Sequence, residues 1–524
     1  MNLKKISVTI VLFVVLLSFG IRLVQLGSLP QILNRDEAAL AYNALLLTDT
    51  GKDEWGRSWP LVLESFGDYK LPGYPILLAG LFQIFEPSDL LVRIPSVVAS
   101  VSLILLAYAF TQVAGWRRQW SLIAALSIAS TPVFFFYARI GFEAMVGLAL
   151  LLTALLLLYA PVQTFFRKRF VQDLVAVLFW LTAAITYNTP LLLIPFFVPV
   201  IIVGRKAKNW KNWIVPVLAI SLVFGGLLSP QSNLTTQKSS ITLFGDETHR
   251  ELANTRYNSY TGLIQKTWGN QYVYLVTEMF KNAVAEFSPQ FLLTRGGPHP
   301  LHQLPGNGHL TLTLYLFGIL GYMYALGKVI GVLKKTKPLK HLQKKEYQTE
   351  ILLLVTTSIS LAPAVVTVDA PHATRSLLFF FCMVLASVYA ATKLKKNIGV
   401  LFIVVTVLLF AQYVNEYFTE YPNHQPGLLQ VGYQEVIQSV DASTEGPVAV
   451  VDPDGYQYIL TAWYLRMDPD TFFTTNIKQL PNQIGFRYGQ QVGRYHFIGQ
   501  LNDRSEEEKT VVTWDGGKWQ VYQY

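Results

Sequence analysis

Two adjacent carboxylates, Asp36 and Glu37, follow the first apolar stretch of the chain and precede the apolar run from Ala38 to Leu47. A carboxylate at such a boundary can accept the proton of an attacking hydroxyl group, which is general base catalysis. Because neighbouring side chains on a helix point about 100° apart, the two carboxylates cannot act at the same point. We therefore predict Asp36 and Glu37 as catalytic residues, with Asp36 as the base and Glu37 holding Asp36, a nearby cation or the acceptor. In the alternative interpretation, the pair only stabilises the start of a helix through its dipole.

Basic side chains occur at similar boundaries and would suit a phosphate leaving group. Arg and Lys neutralise a phosphate and fix its geometry through charge-assisted hydrogen bonds. Lys70 precedes the stiff segment from Leu71 to Pro75, and Arg375 opens an apolar run, where a helix N-terminus also favours anions. The predicted phosphate-binding residues are Lys70, Arg139, Arg295 and Arg375.

Further polar residues near the ends of apolar runs are predicted to support this site or to bind the acceptor. Arg139 and Glu143 are four residues apart, so they can pair on one face of a helix, and such a pair can also be purely structural. The residues predicted to support the site or bind the acceptor are Arg93, Glu143, His299, His302 and His372.

The segment from Thr294 to His309 contains three histidines within eleven residues, which raises the question of a metal site. Their spacing fits no compact zinc pattern, no cysteine lies nearby, and the interspersed Gly and Pro indicate a shaped loop. We therefore predict that this loop binds no metal and instead approaches a phosphate or a sugar.

The composition indicates that these residues are positioned by membrane-spanning helices. Of the 524 residues, 52% are hydrophobic, and the mean hydropathy is +0.35, which is too apolar for an ordinary water-soluble protein. The formal net charge of +9 comes mostly from short Lys and Arg tracts between apolar runs, a pattern typical of cytoplasmic loops, so no nucleic acid partner is predicted. The lone Cys382 lies in an apolar run, which excludes an intramolecular disulfide.

Runs of about 20 apolar residues are long enough to cross the bilayer as helices, and we predict about eleven spans. The run after Lys4 and Lys5 is long for a signal peptide and is interpreted as a retained first span. A cytoplasmic amino terminus places all the basic tracts inside. The predicted spans are 6–24, 90–113, 119–137, 143–161, 171–187, 190–204, 212–228, 310–331, 349–367, 375–391 and 398–414.

This topology defines the parts of the chain that lie outside the membrane. They are the loops 25–89 and 229–309, the turn around Arg139 to Phe142, and everything after Tyr413. A short helix from about Tyr74 to Phe85 is predicted along the membrane surface, with a full span as the alternative. Residues 1–419 form the predicted transmembrane catalytic domain, and residues 420–524 form a small extracytoplasmic α/β or α+β module, because the apolar runs there are short and separated by Gly, Asp and Asn.

The distribution of charge separates the possible classes of function. The centres of the predicted spans are almost free of charge, whereas a transporter commits charged groups there. A lipid-linked saccharide flippase or transporter and a non-catalytic membrane scaffold remain the alternatives to an enzyme. The titratable groups at or just beyond the outer ends of spans are Arg35, Asp36, Glu37, Asp68, Lys70, Arg93, Arg139, Glu143, Asp369, His372 and Arg375.

Several of these segments together resemble the GT-C glycosyltransferases of the protein O-mannosyltransferase and aminoarabinose transferase group. The resemblance covers most of residues 1 to 420. Its motifs are Arg35-Asp36-Glu37, Lys70 before a Pro-containing Tyr segment, Arg93-Ile94-Pro95-Ser96, Arg139 with Glu143, the Gly-Gly, His and Pro-Gly-Asn-Gly loop, and Pro371-His372-Ala373-Thr374-Arg375.

The resemblance implies a polytopic, mostly α-helical enzyme of the cell membrane, with its active site and carboxyl terminus extracytoplasmic. It implies inverting transfer of a hexosyl or pentosyl group from a polyprenyl or dolichyl phosphate to a hydroxyl of a protein, glycan or lipid acceptor, without a required catalytic metal. On this sequence Asp36 matches the catalytic Asp of the family, and Lys70 matches the position that contacts the donor phosphate.

Overall fold

The computed structural model describes residues 3–161, 164–193, 196–197, 225, 239–335, 347–480 and 487–524. The chain is mostly helical, with a small sheet region near the carboxyl terminus, as predicted. The helices before the 239–335 segment are Leu3–Leu23, Arg35–Thr50, Gly73–Phe82, Asp89–Val113, Arg118–Ala129, Pro132–Phe136, Glu143–Tyr159 and Arg169–Thr186. Those that follow are Glu247–Asn258, Gly262–Thr267, Gln271–Glu286, Leu312–Leu333, Gln348–Val365, Leu377–Ala391, Lys396–Thr419, Tyr421–Leu429, Tyr433–Ser443, Gln457–Tyr464 and Pro469–Thr475.

Five helices among the described residues are long and apolar enough to cross a membrane, or six if a bent pair is one span. The predicted number of about eleven spans is not confirmed, and the predicted spans 190–204 and 212–228 lie largely outside the described residues. The five are Asp89–Val113, Arg169–Thr186, Leu312–Leu333, Gln348–Val365 and Asn397–Thr419. Shorter apolar helices are Thr9–Leu23, Gly73–Phe82, Glu143–Tyr159 and Leu377–Ala391.

The predicted span 119–137 is not one straight helix. The helix Arg118–Ala129 ends before Ser130, and a second segment, Pro132–Arg139, begins at a bend of 58°. Proline is favoured in the first turn of a helix, where its missing N–H group costs nothing, so Pro132 begins the new segment. The bend carries Arg139 into the protein interior.

The segment of residues 25–89, called the 25–89 segment below, holds a helix that presents Asp36 in its first turn. The Asn34 side chain accepts hydrogen bonds from the backbone N–H groups of Asp36 and Glu37, and the Glu37 carboxylate accepts one from the Asn34 backbone, which forms a capping box. The helix ends at Thr50 and is capped by Gly51, whose φ of 69° is the left-handed conformation that glycine adopts easily. The cap therefore fixes the backbone of the first turn at Asp36 and Glu37.

A hairpin and a short helix follow in the same segment. Strand β1 (Leu63–Ser65) pairs with strand β2 (Asp68–Lys70) in antiparallel register, and the turn residues Phe66 and Gly67 both have positive φ. The helix Gly73–Phe82 has 10 residues, about 15 Å, which is half of the hydrocarbon thickness. The prediction of a short helix here, rather than a full span, is confirmed.

Two buried arginines hold the linker between the first helix and this segment. Arg93 bonds to Glu37 at 3.1 Å and donates to the backbone carbonyls of Leu26, Pro30 and Ile32. Arg139 donates to the carbonyls of Arg22 and Leu29 at 2.9 and 3.0 Å. These contacts satisfy carbonyl groups that no helix or strand pairs, which is a requirement for backbone buried away from water.

The carboxyl-terminal module contains a six-stranded sheet with the strand order β4-β5-β6-β3-β7-β8. Strand β3 pairs in parallel with β6 and β7, and the remaining pairs are antiparallel. The hydrophobic core of the module is continuous with that of the helical domain. The strands are β3 (Val448–Val451), β4 (Ile477–Lys478), β5 (Gly489–Val492), β6 (Tyr495–Ile498), β7 (Thr510–Asp515) and β8 (Lys518–Gln523).

The module is hydrogen-bonded to the 25–89 segment. Trp463 Nε1 donates to Asp89 at 2.8 Å, and the Leu33 backbone N–H donates to the Tyr464 hydroxyl at 2.9 Å. The Tyr42 hydroxyl donates to the Met467 carbonyl at 3.0 Å. The module is therefore attached to the elements that carry Asp36.

Replacing Glu37 by Ala is expected to lower the free energy of unfolding by about 3–5 kcal/mol, because Arg93 would keep a buried charge without its partner. The measurement is the melting temperature of the purified protein in detergent. Glu435→Ala is the control, since Glu435 is exposed. Equal melting temperatures for the two variants would contradict the role of Glu37 as the partner of Arg93.

Candidate active site

A cavity of about 570 Å³ lies where the 25–89 segment meets the loops of the helical domain. Its wall combines charged groups with aromatic and aliphatic side chains, the usual mixture in a site for small molecules. The charged, histidine and tyrosine residues that line it are Arg35, Asp36, Asp68, Tyr69, Lys70, Glu143, Tyr187, His299, His302, Asp369, His372, Arg375 and Tyr456.

Asp36 and Lys70 form an ion pair on one wall of this cavity. The Lys70 Nζ atom lies 2.6 Å from Asp36 Oδ1 and 3.0 Å from Asp68 Oδ2. Burial alone would raise the pKa of Asp36, but the charges of Lys70 and Arg35 outweigh it and hold that pKa below its ordinary value. Burial likewise opposes the charge of Lys70, yet the two carboxylates raise its pKa. Both groups of the pair are therefore ionised at neutral pH.

A second charged cluster, centred on Asp369 and Arg375, lies on another wall. Arg375 Nη1 donates to the carboxylate of Asp369 and, at 2.9 Å, to Thr367 Oγ1. Burial acts to raise the pKa of Asp369, but the hydrogen bond from His299 and the charge of Arg375 hold it well below its ordinary value. The same cavity thus contains a second cation, whose position is set by a carboxylate.

The three predicted histidines meet at this cavity. The His302 ring stacks on Tyr137, with the ring centres 5.9 Å apart, and lies 5.2 Å from the ring centre of His372. Burial lowers the pKa of His302 to about 4, so its imidazole is neutral at pH 7. His372 Nδ1 lies 3.0 Å from Thr374 Oγ1. The neutral His302 imidazole can offer a hydrogen bond to a polar substrate without adding charge.

One group of side chains has the composition of a possible metal site. Single ligand atoms of His299, Asp369 and His372 all lie within 4.8 Å of one another. Two imidazoles and a carboxylate suit zinc or another transition metal, although Asp369 is already paired with Arg375. The sequence-based expectation of transfer without a metal therefore stays a prediction.

Four of the predicted site residues do not line this cavity. Glu37 is buried and accepts hydrogen bonds from Arg93 and, at 2.6 Å, from the Gly141 backbone, so it cannot act on a substrate there. Of the roles predicted for Glu37, the structure shows the one of holding a nearby cation, Arg93, and not contact with Asp36 or with an acceptor in this cavity. Arg93 is its buried partner and likewise supports the fold, away from any acceptor in this cavity.

The predicted phosphate-binding roles of Arg139 and Arg295 also need correction. Arg139 is buried, and its guanidinium contacts backbone carbonyls and the faces of Tyr417 and Phe418, each 4.9 Å from its Cζ atom. Its pairing with Glu143 is not found, because Arg139 ends the bent segment and Glu143 begins the next helix. Arg295 is exposed and lines neither this cavity nor the smaller one described below.

Glu143 does line the cavity, and its carboxylate is mostly buried. Its Oε2 atom has no hydrogen-bond partner among the described residues. Buried polar atoms are usually hydrogen-bonded, so this oxygen, which is itself closed off from solvent, is an exception in the cavity wall.

Sequence reasoning missed Tyr456 and Glu286. Tyr456 reaches the cavity from the carboxyl-terminal module, and its ring centre is 4.2 Å from the Arg35 guanidinium. Glu286 is buried behind the cavity wall, where its carboxylate accepts hydrogen bonds from Ser376 Oγ at 2.7 Å and from the His372 backbone at 3.3 Å. No local pattern in the sequence marks either residue.

A smaller cavity of about 340 Å³ shares one wall with the first. Arg35, Asp36, Phe142, His299 and His302 line both of them. The residues that line only the smaller one are Asn34, Ile140, Pro300, Leu301 and Leu428. Asp36 is therefore accessible from two sides.

The same arrangement of helices occurs in a solved structure. The crystal structure of ArnT from Cupriavidus metallidurans bound to undecaprenyl phosphate aligns with a TM-score of 0.50 and 11% sequence identity, over 88% of this chain and 84% of that one. The chain therefore shares its fold with ArnT. The apo structure of ArnT from the same organism aligns with a TM-score of 0.40 and 12% identity, over 87% of this chain and 84% of that one. No protein-family model and no curated protein sequence matches the chain.

The raised pKa of Glu286 can be tested through the pH dependence of the protein's stability. Burial raises its pKa to about 8 from an ordinary 4.5, so the folded protein binds more protons than the unfolded one between these values. Stability is therefore lost as the pH rises from about 4.5 towards 8. In Glu286→Gln, Oε1 can accept from the His372 backbone N–H while Nε2 donates to Ser376 Oγ. This variant is expected to melt at a higher temperature than wild type at pH 8, with a smaller difference at pH 6. Glu251→Gln, at an exposed position, is the control and should give no such pH-dependent difference.

Proposed function

We propose that this protein is a membrane glycosyltransferase that moves a sugar from a polyprenyl-phosphate donor to an acceptor hydroxyl, with inversion and with Asp36 as the general base. The observation that carries the proposal is an ionised carboxylate that lines two cavities and is bonded to a buried ammonium group. The GT-C fold supports it, as does the undecaprenyl phosphate bound to ArnT in the aligned structure.

The donor occupies the larger cavity in this proposal. Lys70 and Arg375 line it, and both are cations that can neutralise the phosphate. The Lys70 ammonium has three N–H donors, of which two are directed at Asp36 and Asp68. The third is available for a phosphate oxygen. Arg375 retains donors beyond those bound by Asp369 and Thr367.

The acceptor reaches Asp36 from the smaller cavity. Asp36 accepts the proton of the acceptor hydroxyl while that oxygen attacks the anomeric carbon. The bond from this carbon to the phosphate oxygen breaks, and the phosphate leaves with the electron pair. Attack from the face opposite the leaving group inverts the anomeric centre. Glu143 lies in the wall of the larger cavity, beside the sugar in this proposal.

Donor binding also changes the basicity of Asp36. Lys70 keeps the carboxylate ionised before substrates bind, but it also weakens it as a base. A donor phosphate that pairs with Lys70 partly neutralises the lysine charge, and this raises the proton affinity of Asp36. The base is therefore strongest when the donor is present, which limits side reactions.

The location and partners follow from the same proposal. The protein is a multi-pass membrane protein, with its amino terminus in the cytoplasm and its active site and carboxyl terminus outside. Its partners are membrane lipids, a polyprenyl-phosphate sugar that supplies a hexosyl or pentosyl group, and an acceptor of the protein, glycan or lipid class. Transfer needs no metal, since the charges of Lys70 and Arg375 already face the cavity.

Asp36→Asn is expected to lower the rate of transfer by about 10²- to 10⁴-fold, because Asn cannot accept the hydroxyl proton. The assay supplies purified protein with a panel of radiolabelled polyprenyl-phosphate sugars and with membrane extracts as the source of acceptor. Asp470→Asn, an exposed control, should retain transfer. Transfer by Asp36→Asn at the rate of the control would remove the proposed base.

Lys70→Ala is expected to raise the KM for the donor about tenfold or more, because a charge-assisted hydrogen bond contributes roughly 1.5–3 kcal/mol. The KM for the acceptor should change little. Lys518→Ala, at an exposed lysine, is the control for the loss of one positive charge. If Lys70→Ala raises both KM values equally, Lys70 has a structural role and does not bind the phosphate.

A further inference from the structure

The turn that connects β1 and β2 has a backbone conformation that is unfavourable for its sequence. Phe66 has a φ of +43°, in the left-handed region that bulky residues rarely adopt, and Gly67 follows with a φ of +79°. Such a residue persists only when surrounding contacts hold it. Two residues later the same hairpin presents Asp68, and at the end of β2 it presents Lys70.

The contacts that hold Phe66 come from the carboxyl-terminal module. Its backbone N–H donates to the Tyr458 hydroxyl at 3.0 Å, and its carbonyl accepts from the Arg487 backbone N–H at 3.0 Å. Tyr458 is buried and lies in the helix Gln457–Tyr464. Both backbone polar groups of the unfavourable residue are thus bound by residues about 390 and 420 positions further along the chain.

Charged groups strengthen the same junction. Glu54 accepts hydrogen bonds from Tyr458 at 3.1 Å and from Ser65 Oγ at 2.6 Å, and Lys478 Nζ lies 2.7 Å from it. Glu64 on β1 lies 3.3 Å from Arg487. Strand β1 is therefore bound to the module by two carboxylates, and β2 is paired to β1.

The Phe66 side chain connects this junction to the cavity. The Lys70 Nζ atom lies 5.2 Å from the centre of the Phe66 ring, within the range of a cation–π contact. The ring of Tyr456 meets Phe66 edge to face at 5.4 Å and also contacts Arg35. Phe66 thus contacts Lys70, and Tyr456 contacts Arg35, which are the two cations next to Asp36.

We propose that Tyr458 is a positioning residue for Lys70, and that the carboxyl-terminal module holds the donor-phosphate lysine in place through Phe66. This inference rests on the proposed function only in the role that it gives to Lys70. The module acts as a structural half of the active site, and docking of the module against the hairpin is a condition for donor binding.

Tyr458→Phe removes the hydroxyl that binds Phe66 and leaves the ring. The expected result is a KM for the donor that is about threefold to tenfold higher, with the KM for the acceptor unchanged. Hydrogen–deuterium exchange of the amides in residues 63–70 is expected to become faster. The matched control is Tyr495→Phe, since Tyr495 is buried in the same module and its hydroxyl bonds to Asp441 at 2.6 Å, away from the hairpin.

A second variant keeps the test informative if Tyr458→Phe fails to fold. Glu64→Gln weakens the other link, to Arg487, and is expected to change donor KM and hairpin exchange in the same direction. Unchanged exchange and donor KM in a folded variant, or equal changes in the Tyr495→Phe control, would overturn the inference. The exchange measurement needs no substrate, so it tests the positioning role separately from the effect of Asp36→Asn on transfer.

Discussion

The ion pair between Lys70 and Asp36 is the interaction on which the site depends. It joins the first turn of a capped helix to the end of a short hairpin, 34 residues further along the chain. Without a neighbouring cation, burial would raise the pKa of Asp36. Without a neighbouring carboxylate, the buried charge of Lys70 would lower the stability of the fold. Each group therefore keeps the other charged at the edge of the cavity.

The surrounding structure supports this pair from three directions. The capping box and the bond from Glu37 to Arg93 fix the helix that carries Asp36. The carboxyl-terminal module holds the turn that precedes Lys70. On the opposite side, the loops around His302 and Arg375 complete the wall and add a second cation. Buried polar groups at these junctions are bound by partners distant in sequence, which makes the geometry specific.

The sequence was sufficient for the class of fold and for part of the site. Long apolar runs indicate spanning helices because of the bilayer thickness, and short runs near the carboxyl terminus indicate a small sheet module. Lys70, Arg375 and the three predicted histidines reach the cavity together with Asp36. These residues were predicted because each lies near the end of an apolar run or in a loop between two such runs in the sequence, and the same residues line the cavity.

Position along the chain could not separate side chains that face the cavity from those that face the backbone. Arg93 and Arg139 also stand at helix ends, but they bind carbonyl groups of the linker that begins near Gln25. The linker has no regular structure, so its carbonyls need such donors, and no local pattern in the sequence marks this need. Tyr456 and Tyr458 were missed for a related reason, because their contacts with the hairpin join residues about 390 positions apart.

The most direct test of the account is an experimental structure of the protein with undecaprenyl phosphate bound. The account predicts that the phosphate lies in the larger cavity, within hydrogen-bond distance of Lys70 Nζ and beside Arg375, with Asp36 still accessible from the smaller cavity. A phosphate bound in the smaller cavity, between Pro300 and Leu428, or one that makes no contact with Lys70, would contradict the proposed placement of donor and base.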